Sequence, residues 1–152
     1  MEYKIRFAEK KDINQVIKLC EAHSSFENCE YKKQNKSEKL LELFFSKEPK
    51  IYCLVVENEL QIIGYATYTI QYSTWEAEKY MYLDCLYLDE YFRGENIGEK
   101  LIKKIKEESQ KLVCKLIQWQ TPKENKRAIK FYNRIGGKSQ NKERFFLKIN
   151  QK

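Results

Sequence analysis

The sequence predicts an α/β fold in which a mixed, mostly antiparallel central sheet of about six to seven strands carries helices on both faces. Period-2 apolar segments typical of strands alternate along the chain with segments of helical periodicity. One pair of predicted strands is joined only by the short turn Glu57–Leu60, which favours antiparallel pairing, whereas other strands are separated by a helix. A length of 152 residues predicts one domain over residues 1–152.

The first half of the chain predicts one strand and then two helices. Alternating Tyr3, Ile5 and Phe7 indicate a half-buried strand, and Asp12 is placed to cap the helix that follows. A second short helix is expected over residues 37–45, ending before Pro49 because proline lacks a donor N–H.

The second half predicts a hairpin and then alternating helices and strands. The hairpin covers residues 51–72 around the Glu57–Leu60 turn. The remaining elements are a strand at 80–88, a helix at 97–109, a strand at 112–119, a helix at 125–134 and a last strand at 144–149.

Composition narrows the functional classes. No apolar run approaches the roughly eighteen residues that span a bilayer, and the start of the chain lacks signal-peptide features, so we expect a cytoplasmic protein without a membrane partner. The net charge of +7 is not organised into basic runs interleaved with aromatics, so we expect no nucleic-acid partner. The five cysteines form no CxxC pair, which indicates reduced thiols and no metal site.

The stretch from Tyr82 to Ser109 is the most informative part of the chain. It reads as a strand, an Arg-Gly turn and an amphipathic helix. That order places unpaired N–H groups and the positive end of a helix dipole at one point. The stretch therefore predicts an anion site at the start of the helix.

The turn Arg93-Gly94-Glu95-Asn96-Ile97-Gly98 resembles the Gln/Arg-x-x-Gly-x-Gly/Ala loop of the GCN5-related N-acetyltransferases, with Asn96 at the middle glycine position. Asparagine is the non-glycine residue that most readily enters the left-handed region, so the turn can be kept. The chain is most similar to the diamine and polyamine acetyltransferases. That likeness is carried by YSTW (72–75), YLDCLYL (82–88), YFRGENIG (91–98) and NKRAIKFYNRIG (125–136).

The resemblance implies the GNAT fold, acetyl-coenzyme A as cofactor and direct transfer to a primary amine in a ternary complex. It implies that Asp84 is the base or holds a bridging water, and that Tyr132 is the general acid for the departing thiolate. The Leu86 N–H would polarise the acetyl carbonyl. The remaining cofactor contacts would come from residues Tyr87, Leu88, Arg93, Gly94, Glu95, Asn96, Ile97, Gly98 and Asn125, with an N-cap as the structural alternative for Asn125.

The resemblance also implies an acceptor pocket and a homodimer. The acceptor would be contacted by residues Glu27, Glu30, Tyr72, Trp75, Asp84 and Cys85, of which Trp75 could hold an alkyl-ammonium chain by a cation–π contact. Cys85 stands where the relatives carry an aspartate, which counts against a long polyamine. His23, at the end of the first helix, is interpreted as a helix-terminal cation or a surface residue.

The function predicted from the sequence is acetyl transfer to a small cationic amine of diamine or polyamine type. Three other acceptors stay open: an aminoglycoside or other amine-bearing antibiotic, an amino acid, and a protein terminus. Cys85 as a covalent nucleophile is the mechanistic alternative. A coenzyme A-binding module without turnover is the alternative from another class of protein.

Overall fold

The structure is a computed structural model that describes residues 1–150 and contains two compact units, one from Met1 to Gln120 and one that begins at Thr121. The strands are β1 (Tyr3–Phe7), β2 (Tyr52–Asn58), β3 (Ile62–Ser73), β4 (Glu78–Leu88) and β5 (Ile117–Gln118). The helices are α1 (Ile13–Phe26), α2 (Lys36–Phe45), α3 (Ile97–Lys111) and, in the second unit, α4 (Lys126–Arg134). Short 3-10 turns precede α1 at Lys10–Asp12 and follow β4 at Glu90–Phe92.

The first unit is built on one sheet with the strand order β1-β2-β3-β4-β5. Neighbouring strands from β1 to β4 are antiparallel, and β5 lies parallel to β4. This confirms the predicted mixed, mostly antiparallel sheet. The predicted strand count was too high, because the sheet in residues 1–150 has five strands.

Helices cover both faces of this sheet. On one face, α1 and α2 bury a cluster with the inward side chains of β2, β3 and β4, among them Cys53, Val55, Tyr65 and Tyr87. On the other face, α3 presents Ile97, Leu101 and Ile105 at helical spacing, and its Lys100 ammonium lies 5.2 Å from the centre of the Tyr3 ring on β1. None of the helices in residues 1–150 combines the length and apolar character that crossing a bilayer requires.

The β4 strand pairs very differently with its two neighbours. It pairs with β3 from Ser73↔Glu78 to Gly64↔Leu88, but with β5 only at Met81↔Ile117 and Tyr82↔Gln118. The register with β3 shifts between Thr67 and Tyr68, which pair with Cys85 and Leu83, so Asp84 is the extra residue of a β-bulge. Beyond Tyr82, the outer edge of β4 has no β-ladder partner in residues 1–150.

Gly64 permits the close approach of β3 to the end of β4. A Cβ atom at this position would lie 2.9 Å from Leu88 Cδ1 and 3.0 Å from the Tyr87 carbonyl oxygen. Any larger residue would therefore displace the strand end that leads into the Arg93–Gly98 turn.

An ionic cluster fixes the start of α1 against the sheet. The Arg6 guanidinium donates to both carboxylate oxygens of Asp12, at 2.7 and 3.0 Å, and to Glu57 Oε2 at 2.9 Å. Asp12 also accepts the Glu9 N–H at 2.7 Å. Asp12 occupies the predicted N-cap position of α1, but its carboxylate caps the preceding 3-10 turn and binds Arg6 instead of capping α1. Its hydrogen bonds from Arg6 hold the pKa of this carboxyl below its usual value.

Two predictions for the C-terminal third were wrong. The strand expected at 112–119 is reduced to Ile117–Gln118, because α3 continues to Lys111 and the chain then turns through Val113 at φ 57°. Residues 144–149 form no strand, although the run Phe145, Phe146, Leu147 and Ile149 is apolar and at least 77% exposed at each position. A β-strand needs a neighbouring strand, and the described residues offer this segment none.

Candidate functional site

The predicted anion-binding turn is present between β4 and α3. Gly94 has φ +97° and Asn96 has φ 59° and ψ 16°, so both are in the left-handed region. Asn96 is the N-cap residue of α3, and its side chain makes no capping hydrogen bond. The expectation that asparagine would keep the turn by entering this region is therefore confirmed.

The turn presents a row of free backbone donors. The N–H groups of residues 94–98 have no hydrogen-bond acceptor within residues 1–150, and the Lys100 N–H donates to the Asn96 carbonyl at 3.0 Å. The space beside the Gly94 Cα is open for 4 Å. Free N–H groups, open space and the positive end of α3 suit a phosphate or pyrophosphate group.

The Arg93 side chain holds this turn in place. Its Nε donates to the Leu88 carbonyl at 2.8 Å, and its guanidinium lies 5.0 Å from the Phe26 ring centre and 5.5 Å from that of Tyr87. The guanidinium thus ties the turn to the end of β4 and to the last residue of α1. The predicted cofactor contact of Arg93 stays a prediction.

The β-bulge brings Asp84 and Cys85 together on the side of the sheet covered by α1. Cys85 Sγ lies 3.7 Å from Asp84 Oδ2. Burial, followed by the charge of Asp84, raises the pKa of the Cys85 thiol to about 12. The thiol is therefore protonated at neutral pH, which argues against the alternative of Cys85 as a nucleophile.

The open edge of β4 offers backbone donors near the bulge. The Asp89 N–H donates to the Ile63 carbonyl on β3 at 2.9 Å, and N–H groups alternate in direction along a strand. The Leu86 and Leu88 N–H groups therefore point away from β3, to the side where β5 has ended. Tyr87 directs its side chain into the α1 face and is 9% exposed.

His23 is a residue of this site that the sequence interpretation placed wrongly at the surface. Its side chain is only 17% exposed, its Nδ1 lies 2.9 Å from Tyr65 Oη, and its ring stacks on Tyr87 at 5.0 Å between centroids. Its Nε2 lies 3.7 Å from Glu27 Oε2. Burial is the main cause that lowers the pKa of His23. The i, i+4 spacing to Glu27 was the one signal in the sequence.

The predicted acceptor residues do not all lie near the bulge. Glu27 caps the end of α1 beside His23, whereas Glu30 is exposed in the segment before α2. Tyr72 and Trp75 lie at the far end of the β3–β4 hairpin and are 79% and 97% exposed. Tyr72 lies five positions along β3 from Thr67, the partner of Cys85, which is a distance of about 17 Å along the strand.

Asn125 and Tyr132 belong to the second unit. Asn125 caps α4 by accepting the Ala128 N–H at 3.2 Å, which confirms its structural alternative. Tyr132 is half-buried on α4, and its ring is tilted against that of Phe131 at 5.4 Å. The catalytic role of Tyr132 and the cofactor contact of Asn125 stay predictions.

Comparison with known protein families identifies the class of this protein. The sequence model of the acetyltransferase (GNAT) family matches residues 16–137. The chain belongs to this family and is an acetyltransferase.

Curated relatives support the same subgroup that the resemblance indicated. The chain is 29% identical over 141 residues to thialysine N-epsilon-acetyltransferase of Mus musculus, covering 88% of this chain and 82% of the relative. It is 30% identical over 140 residues to the Bos taurus enzyme of the same name, covering 87% and 82%. It is 26% identical to a human spermidine/spermine N(1)-acetyltransferase-like protein, covering 88% of this chain and 20% of that protein.

Solved structures confirm the fold. A possible acetyltransferase from Clostridium difficile superposes with a TM-score of 0.83 at 18% identity, covering 99% of this chain and 100% of that one. An aminoglycoside acetyltransferase from an uncultured soil metagenomic sample superposes with a TM-score of 0.80 at 19% identity, covering 98% and 97%.

No group of three or more metal-binding side chains occurs in residues 1–150.

The left-handed Asn96 can be tested against a matched position. Asn35 also precedes a helix, with φ 61°, ψ 12° and no side-chain cap. Replacing either asparagine with alanine should lower the free energy of unfolding by about 1 kcal/mol, because alanine resists the left-handed region. Urea denaturation measures this cost. In calorimetry, only Asn96→Ala should weaken the binding of inorganic pyrophosphate, since only Asn96 shapes the free N–H groups. Equal pyrophosphate binding by both variants would contradict the assignment of the turn as the anion site.

Proposed function

We propose that the protein is an acetyl-coenzyme A-dependent N-acetyltransferase that acts on a primary amine of a small cationic acceptor, by direct transfer in a ternary complex. One observation carries the proposal: the free N–H groups of residues 94–98 lie at the end of β4, the strand whose outer edge is open. The anionic part of a cofactor could thus bind at the turn while its reactive arm lies along the neighbouring open edge of β4.

The residues present fit the cofactor. Backbone donors of the Arg93–Gly98 turn, in the open space at Gly94, would hold the pyrophosphate, and the outer edge of β4 over Leu86–Leu88 would pair with the pantetheine arm. Acetyl-coenzyme A supplies an acetyl thioester that is activated toward amines. The Leu86 N–H, which points to the open side, is placed to donate to an acetyl oxygen.

The acceptor amine must be deprotonated before it can attack, because an ammonium ion has no lone pair. The Asp84 carboxylate, exposed on the bulge, is the proposed proton acceptor, directly or through water. Neutral Cys85 beside it leaves direct transfer as the simplest route. Tyr132 is the proposed acid for the sulfur, by resemblance.

A short cationic acceptor is favoured over a neutral one. The relatives are named for thialysine and for spermidine or spermine, all of which carry ammonium groups. In this chain, Glu27 and Asp84 supply two carboxylates on the α1 side of the sheet. Glu30, Tyr72, Trp75 and Cys85 are proposed as further acceptor contacts. The cytoplasmic location also stays a proposal.

The enzymatic proposal is tested by cofactor binding and by an amine panel. Calorimetry should show acetyl-coenzyme A binding at submillimolar concentration, and thiol release should be fastest with thialysine and short diamines. Aminoglycosides and amino acids form the comparison group. Failure to bind at millimolar cofactor would overturn the proposal. Binding without thiol release across the panel would favour the module that holds coenzyme A without turnover.

Tyr132→Phe isolates the acid role. The change removes one hydroxyl and keeps the ring. The kcat should therefore fall about 100-fold or more, which is typical for the loss of a general acid. The affinity for acetyl-coenzyme A, measured by calorimetry, should change less than about threefold, because the phenylalanine keeps the aromatic ring. Tyr80→Phe, on the outer part of the hairpin, is the matched control. Unchanged turnover would remove Tyr132 from the mechanism.

We also propose that the protein is a homodimer, as the resemblance implies. The exposed apolar run at residues 145–149 and the exposed Trp75 support this, since large exposed apolar groups mark interaction surfaces. Sedimentation equilibrium should give twice the 18.4 kDa chain mass. Phe145→Glu combined with Phe146→Glu should shift the mass toward the monomer, because charge opposes burial at an interface. A monomeric wild type would overturn the proposal.

A further inference from the structure

His23 on α1 is held by contacts from two strands of the sheet, β3 and β4. It lies on α1, its Nδ1 is 2.9 Å from Tyr65 Oη on β3, and its ring stacks on Tyr87 of β4. Tyr65 is 1% exposed, so this hydrogen bond is shielded from water. The imidazole is therefore fixed in one orientation on the α1 side of the sheet.

The charged groups that face His23 come from α1, from the bulge and from the turn. Glu27 on α1, with Oε2 3.7 Å from Nε2, and Asp84 on the bulge both favour a protonated ring. Burial and the Arg93 guanidinium favour a neutral one, and burial has the largest effect. The net result is a lowered pKa, so His23 is neutral at physiological pH.

The tautomer of the neutral ring depends on the direction of its hydrogen bond with Tyr65. Burial raises the pKa of the Tyr65 hydroxyl far above its usual value, so this hydroxyl keeps its proton and can donate it to Nδ1. When the hydroxyl donates to Nδ1, the ring proton lies on Nε2, 3.7 Å from Glu27 Oε2. With His23 neutral, Glu27, Asp84 and Arg93 sum to one net negative charge, which can be balanced by a single added positive charge.

We propose that His23 is a positioning residue of the acceptor side, and that the acceptor ammonium binds in competition with the proton that His23 would otherwise carry. The inference rests on the proposed function, because it concerns the acceptor of that reaction. Neutral His23 leaves Glu27 and Asp84 available to a cation. Protonated His23 places a like charge beside them and weakens cation binding.

The substrate class follows from this competition. The competing charge on the acceptor must persist while the reacting amine is deprotonated, so it belongs to a second cationic group. A diamine or a diamino acid has such a group, whereas a monoamine does not. Under this proposal, acceptors with two amines are favoured over acceptors with one.

The test uses the fact that His23 is the only histidine in the chain. In protein prepared without a histidine tag, its ring gives a single set of NMR resonances, and their pH titration reports its pKa without acetyl-coenzyme A. Saturating diaminobutane should lower the titration midpoint by about one pH unit or more, which is a tenfold coupling. The uncharged isostere butanediol should leave it unchanged. An unchanged midpoint with diaminobutane overturns the inference.

Variants and kinetics give a second readout. For the diamine, KM should rise about fivefold or more as the pH falls through the His23 midpoint, while kcat at saturation changes less. His23→Gln, which cannot be protonated, should remove this rise in KM. Glu27→Gln should lower the His23 midpoint further and raise KM at all pH values. Glu59→Gln, an exposed carboxylate in the β2–β3 turn, is the matched control and should change neither.

The two proposals fail in different ways. Loss of acetyl-coenzyme A binding in calorimetry would overturn the enzymatic function and leave the NMR result intact. Acetyl transfer to diamines with an unshifted His23 midpoint, or an unaltered pH profile in His23→Gln, would overturn only the inference about His23.

Discussion

The unequal pairing of β4 is the constraint on which the site depends. A strand that is paired along its whole length on one side and at two residues on the other has a rigid side and an open side. The rigid side fixes the bulge, so Asp84 and Cys85 turn together toward α1. The open side exposes backbone groups near Leu86, and the strand ends where the Arg93–Gly98 turn begins. One chain segment therefore carries, in order, the Asp84 carboxylate, the free backbone groups near Leu86 and the free N–H groups of the Arg93–Gly98 turn.

Helix α1 connects this strand to the rest of the first unit. Its 14 residues span about 21 Å, and each end is fixed by a different interaction. At its start, Asp12 is bound to Arg6, which also binds Glu57 on β2. At its end, Phe26 lies under the Arg93 guanidinium and His23 is bonded to Tyr65. The position of His23 and Glu27 near the bulge is thus determined by contacts at both ends of the helix.

Local patterns in the sequence predicted the elements, and motif resemblance predicted the turn. The hairpin, α1 to α3 and the left-handed Asn96 all follow from residue type and spacing over a few positions. The errors occur where the structure of a segment, or the burial of a side chain, depends on a partner that is distant in sequence. Residues 144–149 have a strand pattern but no neighbouring strand in the described part of the chain. The burial of His23 was missed because its partners Tyr65 and Tyr87 are more than forty residues away. The bulge at Asp84 likewise depends on the register with β3, which the strand's own sequence does not show.

The local charge of the site opposes that of the whole chain. A net charge of +7 repels cations at long range, but at physiological ionic strength screening reduces this repulsion beyond about 8 Å. Near the bulge the balance is reversed, because Glu27 and Asp84 outnumber Arg93. A short diamine can place its second ammonium within this region while the rest of the molecule stays small. A long polyamine carries additional ammonium groups, and Cys85 supplies no carboxylate to pair with them. For the proposed function, this local charge is an argument for compact dicationic acceptors over extended polycations.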